Sequence, residues 1–200
     1  LKLRTFVQRA GPRFVSFGAP SVVGDRMTYD AAVSLFPLPS YTLSLGGNQY
    51  QDNLASDPSR VTTTQRLVTV GNALQLPTGT GLGLNFSMNT ARGKPATALD
   101  NQTTTMGLGV SQALGRHSAS LGAQMSQFKD KNKLAHDLDS QTLSLTANLA
   151  LPRSMNSSFG VSNSQSKDKV DGSKRSSLSV SPSVSFPIRV GWTGQIWGAH

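Results

Sequence analysis

Residues 142–151 read Thr142-Leu143-Ser144-Leu145-Thr146-Ala147-Asn148-Leu149-Ala150-Leu151. Every second residue is apolar, and those between are small and polar or alanine. Neighbouring residues of a strand point to opposite faces, so this period of two describes a strand with one apolar and one polar face. The same reading holds elsewhere. Leu82, Leu84, Phe86 and Met88 alternate with Gly83, Asn85 and Ser87. Met106, Leu108 and Val110 alternate with Gly107 and Gly109. Leu178, Val180, Val184 and Phe186 alternate with Ser179, Ser181, Ser183 and Ser185, and Val190, Trp192 and Ile196 with Gly191, Thr193 and Gln195.

Between these segments, Pro- and Gly-bearing reversals at 36–40, 77–80, 114–117, 152–156 and 186–189 mark tight turns. Longer polar stretches at 51–62, 91–101, 129–140 and 166–174 hold much of the charge. Strand, tight turn, strand and long loop thus repeat at roughly 35 to 40 residues. Hairpins are expected near 31–50, 63–90, 103–128, 141–165 and 176–198. Residues 31–200 are hairpin repeats. Residues 1–30 form a basic segment, with Lys2, Arg4, Arg9 and Arg13, and within it residues 1–19 are expected to fold as one further hairpin.

Composition narrows the class. Of 200 residues, 14% are charged, against about 25% in ordinary soluble domains. The polar faces therefore lack the Lys and Glu that normally cover a solvated sheet. No run of about 18 apolar residues predicts a membrane helix. Cysteine is absent, which excludes disulfides and thiolate chemistry. The chain opens at Leu1 without a basic-then-apolar leader, so it reads as a mature or trimmed chain with no signal peptide in view.

In this alternation with short and long connections, the sequence resembles bacterial outer-membrane β-barrels of the porin-like class. No specific family is identified. The resemblance implies an all-β, antiparallel up-and-down transmembrane β-barrel with about 10–12 strands in this chain. Its apolar face would meet lipid, and its polar face would line a wet interior. It also implies a bacterial outer-membrane location and a pore, or the membrane part of an envelope or secretion assembly. The expected partners are the bilayer, anionic lipid head groups, other envelope proteins and further barrel subunits. The alternative is a soluble or extracellular β-rich structural protein, such as a virion subunit or an adhesin.

Three features depart from that class. Aromatic residues are only 6%, with Tyr41, Tyr50, Phe128, Phe159, Phe186, Trp192 and Trp197 as interface candidates. The chain ends Gly198-Ala199-His200 rather than in an aromatic residue. The last tight turn places the C-terminus on the long-loop side, which fits inverted loops, a piece of a larger barrel, or a different strand count.

No catalytic, metal or cofactor constellation emerges. Gly79-Thr80-Gly81-Leu82-Gly83 runs into strand alternation rather than opening a helix, so it is no phosphate loop. His117, His136 and His200 lack metal-ligand spacing. Asp130, Asp137 and Asp139 do not follow a 12-residue calcium loop. No Gly-x-Ser-x-Gly elbow is present, and an enzyme is not expected. A formal charge of +9 raises nucleic acid, but no aromatic–basic interleaving supports it. Arg116, Arg153 and Arg189 each fall in a tight turn. They are the candidate pore-rim or head-group contacts.

Overall fold

The computed structural model describes residues 1–12, 14, 24–95, 97–152, 155–189 and 192–198, with only the backbone described for 187–189 and 192–197. Eleven strands follow one another: β1 (Lys2–Ala10), β2 (Arg26–Leu38), β3 (Tyr41–Asp52), β4 (Thr62–Gln75), β5 (Thr80–Lys94), β6 (Asp100–Leu114), β7 (His117–Asp130), β8 (Leu138–Leu151), β9 (Met155–Asp168), β10 (Lys174–Arg189) and β11 (Trp192–Trp197). They form one sheet in sequence order, and every neighbouring pair is antiparallel. The all-β meander expected from the alternation is present. Its closure is not: among the described residues β1 pairs only with β2 and β11 only with β10, so the sheet has two edges.

Two expectations change in detail. Residues 1–19 do not make their own hairpin. β1 pairs along its whole length with β2, Lys2 opposite Ser34 and Ala10 opposite Arg26. Of the expected hairpin over 1–19, residues 13 and 15–19 lie outside the described residues. The strands also outrun their apolar alternation. β5 and β6 are 15 residues long and β10 is 16, so the long loops shrink to 53–61, 95–99, 131–137 and 169–173. Backbone pairing needs no apolar side chain, and the ladder continues where both faces have become polar.

The register sorts side chains onto two sides. On one lie Leu84, Leu108, Ala123, Leu143, Asn163 and Leu178, cross-strand partners in sequence. The row beside it holds Phe86, Met106 and Met125. The opposite side carries Ala73, Gly83, Gly109, Gly122, Ser144, Ser162 and Ser179 in one continuous row.

Among the described residues this sheet has no second layer. Among the described residues only Ala10, Asp25, Asn53 and the glycine Gly93 are buried. Leu84 is 56% exposed, Met106 58% and Leu143 54%. The accessible surface is 13,989 Å², whereas a compact soluble monomer of 21.2 kDa exposes about 9,000 Å².

The polar side is the more crowded. On β8, Thr142, Ser144 and Thr146 are half-buried while Leu143, Leu145 and Leu149 are exposed. A Cβ added at Gly122 would lie 2.8 Å from Ser144 Oγ, and one at Gly81 2.6 Å from Ser111 Oγ. Side chains converge there as they do on the inside of a bent sheet, and glycine leaves the room.

At the β4–β5 turn, Gly79 has φ +81° and its missing Cβ would meet Ala113 O at 3.2 Å. Gly115, in the β6–β7 turn, has φ +63° with nothing within 4 Å. Both positions penalise an L side chain by about 1–2 kcal/mol, and Gly79 adds the steric contact. Gly79→Ala therefore destabilises more than Gly115→Ala, read as a shift in denaturant midpoint at unchanged slope.

Candidate functional site

The polar side is the surface on which a solute or partner would be handled. Across β4–β9 it carries no Lys, Arg, Asp or Glu except Asp130 and Asp168 at the long-loop end. Its hydroxyls bond across strands: Thr142 Oγ1 donates to Ser164 Oγ at 3.3 Å, and Ser158 Oγ lies 2.7 Å from Ser183 Oγ. A groove of about 540 Å³ runs over this side near the tight turns, touching Thr42, Gly83, Gly109, Ser111, Ser120 and Ser144. The wall is neutral, made of hydroxyls and bare backbone.

Charge on this side gathers in β1 and β2. Arg4 donates to Asp30 Oδ1 at 3.0 Å, and Arg26 lies 4.2 Å from the Tyr50 ring centre. Tyr50 thus faces the polar side, as does Phe128. Neither belongs to an outer aromatic girdle. Tyr41 and Phe159 lie on the apolar side, and Tyr41 donates to Asn72 Oδ1 at 2.5 Å, satisfying an amide among the leucines.

The arginines expected at the rim fare unequally. Arg116 is exposed in the β6–β7 turn and borders a recess of about 260 Å³ with Asn148, Asn156, Ser158, Ser183 and Ser185. All five are polar-side positions by register, so this cation stands at the tight-turn end of the polar wall. Arg153 lies outside the described residues. Arg189 closes β10, and its side chain lies outside them. His117, beside Arg116, accepts at Nδ1 from the Ala150 N–H (3.1 Å), which leaves its proton on Nε2 when neutral.

The opposite end is held by polar loop contacts. Asp25 and Asn53 sit there with left-handed backbones, φ +57° and +50°. Asn53 Nδ2 donates to Asp57 O, Arg60 O and Thr62 Oγ1 at 3.0–3.1 Å. Asp25 accepts from the Ala55 N–H and pairs with Arg60 at 3.4 Å. Asp130, Asp137 and Asp139 do not converge on a common point. Asp130 caps the Asn132 and Ala135 N–H groups, Asp137 accepts from the Asp130 N–H, and Asp139 pairs with Lys169 at 2.8 Å.

His136 Nδ1 lies 2.5 Å from Asp168 Oδ2, tying the β7–β8 loop to the end of β9, with the Asp171 carboxylate within 4.8 Å. The hydrogen bond to Asp168, and then its charge, raise His136 above its ordinary 6.5. This contact is not legible in the sequence, because 32 residues separate its partners and only the β8–β9 register, with Leu138 opposite Asp168, brings them together.

No family model matches the sequence, and no curated protein does. Solved structures match by shape. The alcaligin outer membrane receptor FauA from Bordetella pertussis superposes with a TM-score of 0.51 at 18% identity, over 82% of this chain and 33% of that one. The ferric citrate transporter FecA, in its unliganded form, gives 0.50 at 9% identity, over 84% and 35%. The likeness is one of fold, and this chain spans about a third of the length of each.

The raised His136 sets a pH dependence. A cation favoured in the folded state stabilises fully below its unfolded value near 6.5, and that stabilisation is lost as pH rises through the higher folded value. The His136 imidazole signals in NMR should titrate above 6.5 and fall toward it in Asp168→Asn. Protection of the Lys169 N–H, which bonds Asp137 O at 2.9 Å, should weaken over the same range after correction for intrinsic exchange.

Proposed function

We propose that this chain forms membrane-spanning wall of a bacterial outer-membrane β-barrel, with its apolar side in lipid and its polar side along an aqueous passage for small hydrated solutes. It binds and passes rather than transforms. The observation that carries the reading is the coreless sheet, whose leucines and methionines stay about half exposed on one continuous side. Water on that side would forfeit about 25 cal/mol for each Å² left uncovered. Lipid removes that loss, and a curved antiparallel sheet suits it because its backbone groups are paired within the ladder.

Dimensions support this. From Leu143 to Leu151 the alternation on β8 covers eight steps of about 3.3 Å, close to 26 Å along the strand. Tilted about 40°, it rises about 20 Å, near the roughly 25 Å apolar band of such barrels. The likeness to a portion of the FauA and FecA structures supports the same reading and suits a chain that is one portion of a larger barrel.

In a meander β1 and β11 run in the same direction. An antiparallel seam between them therefore takes an odd number of further strands, from more of the polypeptide or from a partner. Arg116, with Arg153 and Arg189 in the sequence of two further tight turns, would make the tight-turn mouth cationic.

Two experiments test the proposal. Leu145→Arg, in the apolar row, should destabilise the reconstituted protein by about 2–4 kcal/mol in urea titrations, and Ser162→Arg, on the polar side, by under about 1 kcal/mol. In a soluble β-structure Leu145, already 46% exposed, would tolerate arginine, and equal effects from the two variants would defeat the proposal. In planar bilayers, replacing Arg116, Arg153 and Arg189 together by Gln should reduce preference for anions over cations. An unchanged reversal potential under a salt gradient would remove the cationic mouth.

A further inference from the structure

On the apolar side, above the leucine band, the register places a second belt. Leu143, Asn163 and Leu178 lie in one row on β8–β10; the next holds Gln141, Gln165 and Ser176, and the next Asp139, Lys167 and Lys174. Elsewhere on this side and at this end lie Arg66 and Arg92 of β4–β5, Lys94 of β5 and Lys129 of β7. The acids among them are engaged. Asp100 is shared by Arg92 at 3.8 Å and Lys131 at 3.5 Å, and Asp139 Oδ2 is held by Lys169 at 2.8 Å.

Lys167 and Lys174 have no ion pair among the described residues, yet they are direct cross-strand partners. Like charges directly opposite on a sheet repel. An anion seated between the two ammonium groups would turn that repulsion into attraction. They line a recess of about 390 Å³ together with Gln141, Gln165, Ser176 and Arg175. Asp139, the direct partner of Lys167 on its β8 flank, also borders it, with Oδ1 buried and without a hydrogen-bond partner, so it offsets part of the Lys167 charge and the phosphate sits toward Lys174, away from this carboxylate.

We infer that this recess holds the phosphorylated head group of a membrane lipid, with Lys167 and Lys174 on the phosphate, the two glutamine amides on neighbouring polar groups, and the acyl chains against Leu143 and Leu178. The ligand is a lipid rather than free phosphate because the cations stand two rows above exposed leucines on the same side, the separation of a lipid's head from its chains. The inference rests on the membrane reading above and adds to it a particular site, far from Arg116 and at the other end of the strands.

The test uses the full chain purified in detergent and offered equal amounts of phosphatidylglycerol and phosphatidylcholine, with bound lipid counted by native mass spectrometry. The wild type should retain phosphatidylglycerol selectively. Lys167→Gln/Lys174→Gln should reduce that selectivity about thirtyfold, the effect of two membrane-surface charges. Lys167→Arg/Lys174→Arg should keep it, and so should Lys133→Gln, a loop control outside the belt. Heat-modifiable migration identifies variants that fold, and Lys174→Gln alone supplies a milder form.

Undiminished selectivity in the folded double variant overturns the inference, as does an equal loss in the Lys133 control. Displacement of the lipid by millimolar inorganic phosphate would assign the recess to free phosphate and overturn the lipid assignment. Retention of both lipids without preference would sink this site while leaving the membrane reading intact. Retention of neither lipid, together with a neutral Leu145→Arg, would defeat both.

Discussion

The backbone ladder from β1 to β11 carries this structure, because almost no side chain is buried behind it. Each internal strand satisfies its N–H and C=O groups on both flanks, and the hydrogen bonds between neighbours replace the packed core of a soluble domain. In water that is a poor arrangement. A backbone hydrogen bond gains only about 1 kcal/mol net, while every exposed leucine retains an unfavourable hydration. Beside hydrocarbon the balance reverses, because leucines are solvated by lipid and an unpaired backbone group becomes the expensive element. On the proposed membrane reading, the continuous ladder and the exposed apolar side are two consequences of one solvent.

Much of this is legible from residues 142–151 and their counterparts, because a period of two fixes both strand and face at once. What lies beyond it is set by register rather than by pattern. Arg92 and Lys94 read as loop because polarity on both faces erases alternation, yet they continue β5 opposite Thr64 and Thr62. The basic N-terminal residues read as a local hairpin, whereas Lys2 finds Ser34 across 32 positions. The Lys167–Lys174 recess has the same origin. Each lysine looks like ordinary loop charge until the β9–β10 pairing sets them face to face. The arginines at the tight turns are visible because turns are marked by Gly and Pro, but only Arg116 can be followed to its surroundings.

Glycine on the polar side connects curvature to lining. Gly83, Gly109 and Gly122 lie in one cross-strand row, and a neighbouring hydroxyl occupies the space a side chain at Gly122 would need. Small residues let the sheet bend toward that side, and they leave a lining of hydroxyls and peptide groups. Curvature and lining are thus set by the same residues, so enlarging one of them would alter both.

The long strands give the two ends different characters. At the tight-turn end the apolar rows reach almost to the reversals, with Leu151 opposite Met155 beside the β8–β9 turn. At the other end the ladder runs on for several residues after the leucines stop, and there the sheet has polar faces on both sides. That is where the structure concentrates its polar fastenings: Asp25 with Arg60, Asn53 across its own loop, Asp100 between two cations, and His136 on Asp168. Strand ends without a covering layer lose protection from fraying, and side-chain bonds between adjacent loops restore some of it. A charge that would be costly in the band becomes useful just above it, so the cationic belt lies where the apolar rows give out.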